Sequence, residues 1–207
     1  MLSRHSASRS LTMAKRQNEF FVISPRMFLL GAVMAMLLPL KWLSSLAFAA
    51  LFHELCHYVA IRLCGGNVFK IHADVGGMVM EMEPLPSGKE LVCALAGPLG
   101  SLALLVFVRQ IPMIALCAGV QGLFNLLPVY PLDGGRILRS GAGMLLSPML
   151  SEKLCKWTES LCLGGMLILG ILGAVRLSLG LVPVMIPVLL WLRIKRTGSD
   201  SRTGEWL

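Results

Sequence analysis

Apolar residues in this chain come in runs, separated by short breaks that carry charge, glycine or proline. Six runs stand out, at about 27–40, 42–64, 90–108, 111–128, 158–175 and 178–192. Each reads as a helix, and a helix needs about 20 residues to cross the hydrocarbon of a bilayer. The first run is short for that, and Pro25 and Arg26 stand in the way of an earlier start. Pro183 and Pro187 kink or shorten the sixth. The second ends at Gly65-Gly66, a helix stop signal. Residues 67–88 have a different texture, with β-branched residues, Gly76-Gly77 and a Met/Val/Glu alternation at 78–83. They predict one or two short strands and then a turn at Pro84 and Pro86. A short amphipathic piece with Arg136, Arg139, Lys153 and Lys156 follows the fourth run. The expected fold is an all-α polytopic membrane protein of about six transmembrane helices. A short β-like, membrane-associated hairpin lies between the second and third.

Composition agrees with this pattern. Of 207 residues, 56% are hydrophobic and 14% charged, whereas a soluble domain carries roughly 25% charge. Too few polar residues exist to cover a water-facing surface. The net charge of +8 does not point to nucleic acid, because the basic residues sit at chain ends and between apolar runs. They suit anionic lipid headgroups better. With six spans, one side collects Arg4, Arg9, Lys15, Arg16, Arg26, Arg62, Lys70, Lys89, Arg136, Arg139, Lys153, Lys156, Arg193, Lys195, Arg196 and Arg202. The other side receives Lys41, Arg109 and Arg176. The positive-inside rule then predicts a multi-pass protein of the cell membrane with both termini cytoplasmic. A rival reading of the first run is a signal peptide with Ala47-Phe48-Ala49 at its cleavage site. Cleavage there would cut into the second run. The six cysteines include no C-x-x-C pair and read as small buried apolar residues.

The second run contains the chemistry. His53-Glu54-Leu55-Cys56-His57 is an H-E-x-x-H motif, and residues four apart share one face of a helix. Two imidazoles can hold one metal ion while the glutamate works on its water. Each ionisable group inside a membrane helix costs about 2.5–3.5 kcal/mol on insertion scales. Two histidines and a glutamate at mid-span therefore point to a functional site, the alternative being a water-filled cavity that satisfies them. A catalytic zinc takes three protein ligands and keeps a fourth position open. His72 is one candidate for the third ligand, but it lies in the strand-like segment; His5 lies in the tail. Asp133, between Pro131 and Gly134-Gly135, is the better candidate. It also suits the N-cap of a helix starting near Gly134.

These residues resemble the site-2 protease family of intramembrane metalloproteases, most closely its small sporulation-type bacterial branch. The resemblance rests on the H-E-x-x-H motif, on Ala96-Gly97-Pro98, and on Asn125 through Gly135 read as N-L-L-P-x-x-P-L-D-G-G. It covers roughly residues 27–140. It implies Zn2+ held by His53, His57 and Asp133, with Glu54 as catalytic base. It also implies regulated intramembrane proteolysis of transmembrane or membrane-associated proteins. The family often has an asparagine where this chain has Ser101, so Ser101 or Asn125 is expected to contact substrate or the oxyanion. The domains expected are a basic cytoplasmic segment at 1–26, a membrane-embedded metalloprotease domain at 27–192 with its core at about 27–140, and a cytoplasmic tail at 193–207. Partners expected are a transmembrane protein substrate and the lipid bilayer. A homo-oligomer or a regulatory membrane partner is left open. Two other readings remain: a catalytically inactive membrane binding protein of the same fold, and a metal transporter.

Overall fold

The computed structural model describes residues 21–74, 77–176 and 182–200; within them, the side chains at 26, 30, 74, 77, 182, 193 and 195–200 are not described. His5 and Val75-Gly76 lie outside the described residues. Each of the six apolar runs contains a helix among the described residues. Helix α1 spans Pro25–Leu37, with Pro25 in its first turn, and α2 spans Leu40–Leu63. Helix α3 spans Ser87–Ala103 and runs on as a 3-10 turn at Leu104–Phe107; α4 spans Pro112–Asn125. Helix α5 spans Asp133–Leu145, α6 Pro148–Arg176 and α7 Val182–Asp200.

Three of these are long and apolar enough to cross a membrane: Leu40–Leu63, Ser87–Phe107 and Pro148–Arg176. The apolar parts of the others are shorter, at Met27–Leu37, Pro112–Asn125 and Pro183–Leu192. Large apolar side chains cover the outside of the bundle, including Leu51, Val120, Leu161 and Leu169, each more than 60% exposed. A water-soluble surface does not present contiguous apolar area on this scale. The amphipathic piece after the fourth run is two things. Arg136 and Arg139 belong to α5, while Lys153 and Lys156 lie on the first turns of α6, which continues unbroken into the fifth run.

Helix α2 stops where the glycines predict. Gly65 has φ +83, a left-handed conformation that costs glycine little. The Gly65 N–H donates to Arg62 O at 3.1 Å and the Gly66 N–H to Ile61 O at 2.9 Å. This is the paired Schellman closure, which satisfies carbonyls that a helix end leaves bare. The Lys89 ammonium adds a third bond, to Cys64 O at 2.8 Å.

The segment after α2 forms the expected hairpin, β2 (Val68–Asp74) antiparallel to β3 (Gly77–Met82). The register pairs Ile71 with Met80 and His72 with Val79, and an irregularity lies between Val68 and Lys70. A third strand, β1 (Phe21–Ile23), pairs in parallel with β2 and completes a sheet of order β1-β2-β3. Strand β1 leaves no mark in the sequence, because three residues are too few to show an alternation.

Packing at the centre relies on small residues. Helices α2, α3 and α4 pack mutually, and α5 lies against α3. A β-carbon on Gly100 would overlap the Cys56 sulfur, and one on Gly122 would sit 3.0 Å from Ser101 Cβ. Glycine at these places lets helix backbones approach closely, as in membrane bundles generally. Helices α6 and α7 pack together beside this centre, where Val129, Leu132 and Leu190 form a small apolar cluster.

Candidate metal centre

His53 and His57 project from one face of α2 and are 2% and 6% exposed. Across from them stands Asp133, the first residue of α5. The cap of α5 is Leu132, whose carbonyl accepts from the N–H groups of Gly135 and Arg136 at 3.1 and 3.2 Å. The N-cap reading of Asp133 is therefore off by one residue, and its carboxylate is directed at the histidines instead. The two glycines after it explain the close fit. A β-carbon on Gly134 would overlap the Leu126 carbonyl, and one on Gly135 would come 2.6 Å from Tyr130 N. They are needed for contact with the preceding loop, not for unusual dihedrals.

Three atoms converge. Asp133 Oδ2 lies 3.0 Å from His53 Nε2 and 3.0 Å from His57 Nε2, and the two nitrogens are 3.2 Å apart. Among the described residues, this is the group of histidine, cysteine and acidic side chains placed to hold a metal ion. The donor chemistry fits one. His57 Nδ1 is 2.7 Å from the Cys93 carbonyl, which can only accept, so Nδ1 carries the proton. In a neutral imidazole the other nitrogen is then a bare lone pair. That lone pair faces a carboxylate oxygen, and a cation between them turns the repulsion into attraction. The spacing fits as well: tetrahedral zinc with bonds of about 2.0 Å places its ligands about 3.3 Å apart.

The remaining groups surround this triangle. Glu54 is half-buried, one residue off the histidine face, within electrostatic range of His57, His53, Asp133 and Arg136. Asn125, the last residue of α4, brings its Nδ2 to 3.4 Å from His53 Nε2. The Ser101 hydroxyl lies 2.9 Å from His53 Nδ1, behind the ring, and Ser101 is fully buried. Arg136 Nη1 is 3.9 Å from Asp133 Oδ1. His72 does not join the cluster; it pairs with Glu81 Oε1 at 2.8 Å across the hairpin.

Two contributors were not read from the sequence. One is the Cys93 carbonyl, since a main-chain acceptor leaves no residue-type signature. The other is Gly97: a β-carbon there would overlap the His57 ring. Its signal was present in the Ala96-Gly97-Pro98 motif, but without a partner helix it had no physical meaning.

The chain is similar to known proteins over part of its length. The model of peptidase family M50 matches residues 75–169, which include Asp133, Asn125 and Ser101 but begin after the two histidines. The zinc metalloprotease MJ0392 of Methanocaldococcus jannaschii is 36% identical over 103 residues, covering 42% of this chain and 30% of that protein. The matching part thus spans under a third of that relative's length. A solved structure of a site-2 protease from the same organism has a similar fold, with a TM-score of 0.60 at 23% identity. That likeness covers 84% of this chain and 88% of the other. Fold and site define a helical membrane protein whose candidate metal ligands come from two helices. Over residues 75–169 the chain is similar to peptidase family M50, and its fold is that of a site-2 protease.

Proposed function

We propose that the protein is an intramembrane zinc metalloendopeptidase that cuts transmembrane or membrane-associated proteins. The observation that carries this reading is the triangle of His53 Nε2, His57 Nε2 and Asp133 Oδ2, with edges of 3.0–3.2 Å inside an apolar helical bundle. His53, His57 and Asp133 hold the zinc. When bound, zinc supplies Lewis acidity, which acidifies water and polarises a peptide carbonyl. Glu54 takes a proton from the attacking water on its carboxylate and returns it to the leaving amine. The Asn125 amide, next to His53 Nε2, is placed to donate to the carbonyl oxygen or to orient the substrate.

A helical substrate hides its carbonyls, so it must unwind before cleavage. Strand β3 is one of the two edge strands of the sheet, with β2 on one side and no strand on the other among the described residues. Its free edge suits an unwound substrate segment added as a further strand. Topology belongs to the same proposal: six crossings, both termini cytoplasmic, residues 1–26 and 193–207 outside the membrane domain, and the site opening toward Arg62. Assignment to the small sporulation-type branch rests on the sequence motifs alone. Incubation of the purified protein with a model transmembrane substrate in detergent tests the activity. Cleavage lost to a chelator and regained with zinc supports it; zinc uptake with no cleavage of any substrate tried favours the inactive binding protein of the same fold.

A further inference from the structure

Helices α2 and α3 run antiparallel, and each histidine of α2 has its own acceptor on α3. His57 Nδ1 meets the Cys93 carbonyl at 2.7 Å, and His53 Nδ1 meets Ser101 Oγ at 2.9 Å. The two acceptors differ in kind. A carbonyl can only accept, so it fixes the His57 proton on Nδ1. A hydroxyl both donates and accepts, so it serves either tautomer of His53. That matters because His53 has a competing partner. Asp133 Oδ2, 3.0 Å from Nε2, accepts a proton held there, and an Nε2 that carries a proton cannot bind a metal. Where the proton sits is set by the partner of the other nitrogen.

We propose that Ser101 is a positioning residue for the metal centre: its hydroxyl accepts the Nδ1 proton of His53 and leaves the Nε2 lone pair free for the ion. The inference rests on the reading of His53, His57 and Asp133 as a zinc site. His53 is 2% exposed and Ser101 0%, so water has no route to replace the hydroxyl. Without it, an Nδ1–H would be a buried donor lacking a partner, a state native proteins strongly avoid. The tautomer with its proton on Nε2 against Asp133 would then be favoured, and metal binding would have to overcome it. Ser101 thus acts from behind the ring, on the side opposite Asp133.

Zinc affinity, measured by competition with a chromogenic chelator in detergent, tests this without any proteolysis. Ser101→Ala removes the acceptor and adds no bulk; zinc is expected to bind 10–100-fold more weakly, the usual effect of losing a partner behind a ligand histidine. Ser101→Thr and Ser101→Val carry equal bulk beside Gly122 and differ in the hydroxyl. Threonine is expected to bind zinc at least about tenfold tighter than valine, whatever either does to packing. Equal affinities in wild type and Ser101→Ala, or threonine no better than valine, overturn the role of Ser101. A wild-type protein that takes up no zinc is a different result, and it overturns the metal centre itself.

Discussion

The imidazole of His57 fills the volume that a side chain at Gly97 would occupy. Gly97 lies on α3, four residues after the carbonyl that receives the His57 Nδ1 proton. The same short segment therefore makes room for the ring and holds it. Gly97→Ala is expected to push His57 off both Cys93 O and Asp133 Oδ2. Zinc content should fall well below one per chain, and cleavage by about 100-fold or more, since small misplacements of a catalytic group have effects of that order. Metal analysis of the purified variant beside wild type checks this. A fully loaded and active alanine variant would show that α2 and α3 can separate at no functional cost.

The candidate ligands make a second prediction. His53→Ala, His57→Ala and Asp133→Ala should each lose zinc, because a site of three protein ligands cannot spare one. His72→Ala should retain it, since His72 is paired with Glu81 away from the cluster. Zinc per chain by elemental analysis decides between them. Loss in His72→Ala with retention in Asp133→Ala would assign the third ligand to the hairpin.

Glu54→Gln separates chemistry from structure. The variant keeps the size and hydrogen bonding of the residue but not its basicity. It is expected to insert, fold and bind zinc like wild type, and to cleave about 10²–10⁴-fold more slowly, the usual share of general acid–base catalysis. Uncut substrate should co-purify with it. Single-turnover cleavage in detergent gives the rate. Poor accumulation of the variant together with lost zinc would assign Glu54 a structural role instead.

Topology is the fourth. Reporters fused at residues 20 and 200 should both read cytoplasmic, and reporters near Lys41 and Arg109 should read outside, as the distribution of basic residues requires. The test is sharpest for α4, whose 14 residues span only about 21 Å at 1.5 Å each. Fusions on its two sides that report the same compartment would reduce the crossings and remove the six-span arrangement.

Much of this molecule is visible in its sequence because a membrane limits what a chain can do. Apolar runs in lipid have little choice but to become helices, so a helix appears within each of the six runs among the described residues. The candidate ligand histidines are visible for a related reason: ionisable groups inside such a run demand a use. Lengths were harder to read. Helix α6 begins at Pro148, ten residues before its apolar run, because its first turns are amphipathic and show no continuous hydrophobicity. Strand β1 owes its existence to β2, a partner some fifty residues away, and three residues carry no pattern of their own. Ser101 shows the same limit within the site. The family resemblance implied a contact with substrate or the oxyanion there, and the packing of α3 against α2 adds what no sequence pattern shows, a hydroxyl 2.9 Å behind His53.

His53 and Asp133 are 80 residues apart in sequence, and His57 and Asp133 are 76 apart. An ion held among them is therefore a cross-link as well as a reagent. It ties α2 to the start of α5 across α3, closing a long chain loop, the kind of constraint that most restricts an unfolded ensemble. Ligand binding to the folded state alone adds stability that grows with the logarithm of free ligand concentration. The supply of zinc in the surroundings would then govern how long the assembled bundle survives.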